Sequence, residues 1–428
     1  MKPSPTRPSQ PSHPTRPSPR KTGQSDTPPW RTGAEIGAAR IRAGWLIDGT
    51  GGPVRENVWI SVQDGTIVSI APAGNANMDD ASPPILDLSD CTLLPPLIDA
   101  HVHLFMSPTP DPDIRAHQLD ATYGELRPAM KAHLRTLAAA GVVAARDGGD
   151  YGGYALRLRN QRERTDPVHL RAAGTAWRKD GRYGRLIGRP VPPGQSLAEA
   201  IHRDDQPADH VKLVNSGINS LKTFGRQTPP QFSPEELRNA VQAAHQRGRP
   251  VMVHANGAEP VRGAVEAGCD SIEHGFFMGE ETLKRMAERG TIWVPTAITM
   301  RAYAETLPPD DPAAEIARRT FDHQLAQIAR ARKIGVQIAV GTDAGSLGVE
   351  HGPAVAREMA ILAEAGFSVA EAVHSAAEIG ARLLGYPDLG RIAPGRPLRL
   401  LAVEGGPERL LANLGRKRFV RDNAAPVR

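Results

Sequence analysis

Cysteine, lysine and aromatic residues are scarce in this 428-residue chain, and each scarcity excludes something. The two cysteines, Cys91 and Cys269, lie far apart with no partner spacing, so no disulfide framework is expected and a reducing cytoplasm is the expected compartment. Phe, Trp and Tyr make up 4% of the residues, and no dense basic stripe interleaves with them, which argues against a nucleic-acid partner despite a net charge of +5. No apolar run approaches the roughly 18 residues that span a bilayer, so no membrane partner is expected either. The first 31 residues lack the apolar core of a signal peptide and are interrupted by nine prolines. Such a Pro/Ser/Thr/Arg-rich stretch cannot bury enough apolar surface to offset its ordering entropy, and residues 1–33 are expected to be disordered. Finally, 9 lysines stand against 43 arginines. A lysine inside the strand-like run HVKLV, Lys212, therefore needs a reason.

Residues 34–95 carry short alternating runs, NVWISVQDGTIVSIAPAG among them, broken by Gly, Asp and Pro. They read as antiparallel strands with Asp64-Gly65 as a hairpin turn. From 96 to 387 short apolar segments alternate with amphipathic helices: LIDAHVH (97–103), VVAARD (142–147), VHLRAAG (168–174), HVKLV (210–214), PVMVH (250–254), DSIEH (270–274), TIWVP (291–295) and VQIAVGTD (336–343). Helices are expected at 129–140, 234–247, 259–267 and 280–289, the second opened by Ser233-Pro234-Glu235-Glu236 and the set closed by Gly141, Gly248, Gly268 and Gly290. Eight strand-then-helix units predict a (β/α)8 TIM barrel. The competing doubly wound sheet would show a Gly-rich phosphate turn after its first strand, and none is there. Residues 388–428 return to β-like pieces and are expected to fold back onto 34–95 as a small flanking β-sandwich domain built from both chain ends.

Chemistry in such a barrel sits at the carboxyl ends of the strands. His101 and His103 end strand 1, and period-2 alternation puts both imidazoles on one face, roughly 7 Å apart along the strand. His254 ends strand 5, His274 strand 6 and Asp343 strand 8, while strand 4 supplies Lys212. A lone strand-end histidine is commonly a hydrogen-bonded structural residue, and Asp343 in GTDAG could cap a helix. Four histidines and an aspartate at the ends of four strands of one barrel instead form the ligand set of zinc or a similar divalent ion.

In LIDAHVHL, VMVHANG, SIEHG and GTDAG, taken in order, the chain resembles the amidohydrolase superfamily of metal-dependent hydrolases over residues 41–428, and is most similar to its prolidase-like and imidazolonepropionase-related branch, where strand 4 reads roughly V-K-x-x-x-S-G. The resemblance implies two divalent ions: one held by His101, His103 and Asp343, the other by His254 and His274. It also implies a carbon dioxide-derived carbamate on Lys212 that, with a hydroxide, bridges them. A buried lysine has a lowered pKa, and its neutral amine can react with carbon dioxide, so the implication has a physical basis. Asp343 would then be the catalytic general base and pass a proton to the leaving amine.

The expected reaction is cleavage of an amide C–N bond in a small-molecule substrate, a dipeptide or N-acyl amino acid. Alternatives are a mononuclear zinc deaminase or cyclic amidine or lactone hydrolase, with Lys212 a bystander, and a catalytically silent scaffold on the same fold. Departures from the branch bear on substrate. Asn256 stands where dipeptidases often carry an aromatic, and the loop TAWRKDGRYGRLIGRP offers Arg178 or Arg185, with Tyr183, to a substrate carboxylate. His351 is a further candidate contact, and His210, two residues before Lys212, is expected to pack one layer deeper. Barrels of this group commonly form homo-oligomers, but no sequence feature sets a subunit number.

Overall fold

Asp64 and Gly65 both take positive φ, 48° and 70°, as a tight two-residue hairpin turn requires. They join β2 (Arg55–Gln63) to β3 (Thr66–Pro72) in a computed structural model that describes residues 38–73, 85–161 and 166–421. The segment 1–33 lies outside the described residues. β1 (Ala38–Leu46) pairs antiparallel with β2 and parallel with β4 (Ile85–Leu94), and β4 pairs with a strand from the other end of the chain, β14 (Arg399–Glu404), followed by β15 (Lys417–Arg421). The result is one six-stranded mixed sheet, in the order β15-β14-β4-β1-β2-β3. Both chain ends do meet, but the described residues form a single sheet here, not the two facing sheets of a sandwich. Ile41, Val58, Ile60, Leu88 and Leu93 share one apolar cluster on it with Ile392, Leu398 and Leu400.

Seven of the eight expected core segments are strands: β5 (Leu97–Val102), β6 (Val142–Asp147), β7 (His169–Ala172), β10 (Val211–Val214), β11 (Val251–Ala255), β12 (Ser271–His274) and β13 (Ile292–Val294). Two short additions, β8 (Ala176–Arg178) and β9 (Gly188–Pro190), come from the loop after β7. The strands form two parallel sheets, β5-β6-β7 and β13-β12-β11-β10-β8-β9, so the hydrogen-bonded ladders do not make one closed eight-stranded ring. The expected eighth strand differs most. Residues 336–344 join both sheets through backbone bonds, among them Ala100 N to Val340 O at 2.9 Å, Asp343 N to His101 O at 2.7 Å and His103 N to Ala344 O at 2.9 Å on one side, and Trp293 N to Gln337 O and Ala339 N to Trp293 O, both at 2.9 Å, on the other. They are not an extended ladder, because Asp343 turns to a φ of 57°.

The helices match their signals closely. Pro234–Gln246 opens with Ser233 capping Glu236 N, and Glu280–Arg289 ends on Gly290 at a left-handed φ of 70°. The helix expected at 129–140 runs Tyr123–Ala139, starting earlier because a Thr122–Glu125 capping box outweighs the internal Pro128. Among the described residues no helix is long and apolar enough to cross a membrane.

Candidate metal centre

All four strand-end histidines are buried, and each has one ring nitrogen tied down. His101 Nδ1 lies 2.8 Å from Glu273 Oε2, His103 Nδ1 2.9 Å from Gly149 O, and His274 Nδ1 2.8 Å from Thr296 Oγ1. His254 is held the other way round, with Nε2 3.2 Å from Gly217 O. Carboxylate and carbonyl oxygens only accept, so at His101, His103 and His254 these partners fix the imidazole tautomer and leave the opposite nitrogen with a lone pair, while the Thr296 hydroxyl, which can donate or accept, anchors the His274 ring. Burial keeps the rings neutral: it brings His103 down to about 4 and His254 to about 3, and it depresses His101 and His274 further.

The free nitrogens of His101 and His103 are 3.4 Å apart, and Asp343 Oδ1 is 3.5 and 3.4 Å from them. These three side chains form a group able to hold a metal ion. His254 and His274 adjoin it without joining it, with ring centroids 4.6 Å from each other and His274 5.1 Å from His101. Lys212 is 1% exposed, and its amine makes no hydrogen bond among the described residues. Burial lowers its pKa to about 8, Glu273 opposing and Arg146 adding to the effect. A Cβ at Gly148 would come within 2.8 Å of His103 Cε1 and 3.1 Å of His101 Nε2, so a glycine keeps open the space beside the two ligand nitrogens. Neutral nitrogen donors, one carboxylate, an orphaned buried amine and that cradle fit a divalent metal site.

The backbone is strained where ligands are aimed. His274, Thr296 and Asp343 have φ values of 70°, 45° and 57°. Left-handed conformations cost non-glycine residues roughly 1–3 kcal/mol each and persist only where the surroundings impose them. Here Asp99 is one such constraint: its carboxylate accepts from Thr342 N at 3.0 Å, Thr342 Oγ1 at 2.7 Å and His101 N at 3.3 Å, binding the two ligand-bearing segments together.

Sequence reasoning missed Asp99 and a second buried group centred on Glu273. Arg146 donates to Ala100 O at 2.8 Å, Ser271 Oγ at 3.0 Å and Glu273 Oε1 at 2.8 Å, while Ser271 Oγ donates to that same carboxylate oxygen at 2.5 Å. Glu273 thus holds His101 with one oxygen and is held by Arg146 and Ser271 with the other. The available signal was alternation: Asp99, His101 and His103 share one strand parity, as do Ser271 and Glu273. Replacing Glu273 with glutamine should weaken metal binding roughly 10- to 100-fold, the usual effect of losing an outer partner of a ligand histidine. Competition against a chelator measures this, and unchanged affinity would remove Glu273 from the site.

The expected substrate contacts are dispersed. The Tyr183 ring lies 5.5 Å from that of His254, at the site. Arg178 is buried with its guanidinium given to Gly188 O and Lys179 O, at 3.3 and 3.2 Å, and Arg185 is exposed. Asn256 pins loops together: Oδ1 accepts from Phe276 N at 3.1 Å, and its own N donates to Ser216 Oγ at 2.8 Å. His351 lies behind His103, 3.3 Å from its carbonyl and stacked on His133 at 4.0 Å. His210 is buried, as expected, one step below Lys212.

A ligand cluster at the carboxyl ends of parallel strands, in a mixed α/β domain, defines a class of metal-site protein, and comparison with known proteins names the family. Residues 92–424 match the Amidohydrolase family, and the chain belongs to it. An uncharacterised protein of Mycobacterium tuberculosis is 32% identical over 219 residues, 49% of this chain and 59% of that protein's length. The ochratoxinase of Aspergillus niger is 30% identical over 183 residues, 41% of this chain and 37% of that one. A solved structure of a Xaa-Pro dipeptidase with bound methionine in its active site, 28% identical, matches with a TM-score of 0.73 over 90% of this chain and 98% of that one.

Proposed function

We propose that this protein is a metal-dependent hydrolase that cleaves the amide bond of a dipeptide or N-acyl amino acid. The observation that carries the proposal is the buried, unpartnered Lys212 amine beside four neutral imidazoles and Asp343. In this reading His101, His103 and Asp343 would hold one divalent ion, His254 and His274 would hold a second, and Lys212, modified as a carbamate, would supply a further ligand. Zinc suits this nitrogen-rich set. Bound there, the ions would lower the pKa of a water molecule and polarise a carbonyl. Residues 336–344 would act as the eighth strand of a closed barrel, which supports Asp343 on the same rim as the histidines. Family membership and the dipeptidase and ochratoxinase relatives support the reaction class.

Within that frame Asp343 is the group able to take and return a proton. Ser346 Oγ donates to its Oδ2 at 3.0 Å, which orients the carboxylate, and its side chain keeps 15% exposure toward the mouth of the site. Tyr183 sets its ring beside that of His254. A mononuclear reading has one observation in its favour, since among the described residues only His101, His103 and Asp343 converge tightly. The metal-loaded protein should hydrolyse N-acyl amino acids or dipeptides in a panel that also holds lactones and aminated heterocycles. Turnover of the heterocycles alone would sink the amide reading.

A further inference from the structure

Beside the loop that follows Asp343, one cation, Arg115, has no carboxylate partner among the described residues. Arg115 lies on the short helix Pro112–Gln118, in the loop after β5. Its Nη1 donates to three carbonyls, Ser107 O at 3.1 Å, Gly345 O at 3.4 Å and Thr109 O at 3.5 Å. Gly345 is two residues past Asp343, so these bonds lash the loop after β5 to the loop that carries the aspartate. Gly348 N donates to Pro108 O at 2.9 Å in the same seam, and a Cβ at Gly348 would come within 3.3 Å of Ala302 Cβ. The helix Ile298–Thr306, which carries Tyr303, therefore packs against that seam.

Arg115 is thus braced at Nη1 alone, while Nε and Nη2, the side-on edge of the guanidinium, have no partner among the described residues. That edge is the one that binds a carboxylate through two parallel hydrogen bonds. The Tyr183 and Tyr303 hydroxyls also have no partner among the described residues. Three loops, after β5, β8 and β13, thus carry a planar cation and two tyrosines, with Tyr183 beside His254 and Arg115 bonded to the loop that follows Asp343. The electrostatics agree. Burial raises the pKa of both tyrosines, so both are neutral donors, and the Asp343 charge reaches both hydroxyls. The Arg115 charge opposes the upward shift at Tyr303 and at Asp343, placing all of them within one field.

We infer that Arg115, with Tyr303 and Tyr183, receives a carboxylate of the substrate above the ligand cluster and selects acids over their neutral amides. This rests on the amide-hydrolase reading for its role in turnover, but not for binding. It moves the expected anion receptor from Arg178 and Arg185 to Arg115, because Arg178 has given Nε and Nη1 to backbone carbonyls and so lacks a complete side-on edge.

The test is calorimetric titration of the metal-loaded full chain with N-acetyl-L-methionine and with its carboxamide, alongside assays of their cleavage. The wild type should bind the acid roughly 10- to 100-fold more tightly, the scale of a charge-assisted pair. Arg115→Ala should bring the two ligands within about twofold, and Tyr303→Phe should reduce the preference without abolishing it. Arg115→Lys, which keeps the charge and the brace but not the fork, should retain part of it, and serves if the alanine variant loses metal. The inference is overturned if Arg115→Ala and Arg115→Lys both keep the full preference, or if the wild type binds neither ligand or shows no preference. Binding of the acid through Arg115 with no cleavage of either compound leaves the subsite standing and removes the amide reading. Cleavage of the acid with an unchanged preference in both variants does the reverse.

Discussion

Asp343→Asn should lower kcat for amide hydrolysis by roughly 10²- to 10⁴-fold, the range expected when a positioned general base is lost. Asparagine is the informative replacement, because it keeps the shape of aspartate and tolerates the φ of 57° that residue 343 adopts. The same variant should change how metal uptake depends on pH. Burial raises the Asp343 carboxyl from 3.8 to about 7, with Ser346 and Lys212 pulling the other way. A raised acid pKa means that below about 7 the native site holds a proton on Asp343 that a metal must displace. Affinity should therefore fall by up to about tenfold for each pH unit below that point on account of Asp343 alone. The histidines do not contribute in this window, since His103 at about 4 and His254 at about 3 are already neutral. Metal titrations at pH 5.5, 6.5 and 7.5 should show a steeper slope in the wild type than in the asparagine variant, whose remaining slope comes from the Lys212 amine, protonated below about 8. A wild-type kcat in Asp343→Asn would end the general-base assignment, and a flat wild-type profile would end the linkage.

Lys212→Met should reduce the metal content from two ions per chain to one and lower turnover by at least about 100-fold, if the carbamate is the bridge on which the second ion depends. Methionine approximates the stem's volume and leaves no buried charge, so the packing around the stem of residue 212 is disturbed little. The lowered pKa makes the modification chemically reasonable. At about 8, roughly one lysine in ten is neutral at pH 7, against fewer than one in a thousand for an ordinary lysine. Protein equilibrated with ¹³C-bicarbonate and metal should show a carbamate carbon resonance that disappears in Lys212→Met. One ion per chain in the wild type, together with an active Lys212→Met, would establish the mononuclear alternative.

Much of this site was legible because the patterns involved are local. Hairpin Asp64-Gly65, the Ser233 cap and the helix-ending Gly290 are read from neighbouring residues, since a turn or cap is made by the few residues it contains. Strand ends could be located for the same reason, and with them His101, His103, Lys212, His254 and His274. The eighth strand was read too simply: VQIAVGTD has the right apolar run, but Asp343 bends away from an extended backbone, and only contacts with the first strand show it. Arg178 and His351 were attractive as sequence neighbours of a rim, yet side-chain direction sends one into its own hairpin and the other behind His103.

What the sequence by itself determined is the set of residues able to reach the rim, because alternation along a strand and the stop signals of a helix are properties of short segments. Tertiary structure decided how those residues are armed. Glu273 meets His101 across 172 positions of chain, and Thr342 meets Asp99 across 243. Such partners choose the His101 tautomer and bind the segment that carries Asp343 to the first strand. No local pattern encodes them, because burial and the hydrogen bonds that make it tolerable exist only once distant segments have packed.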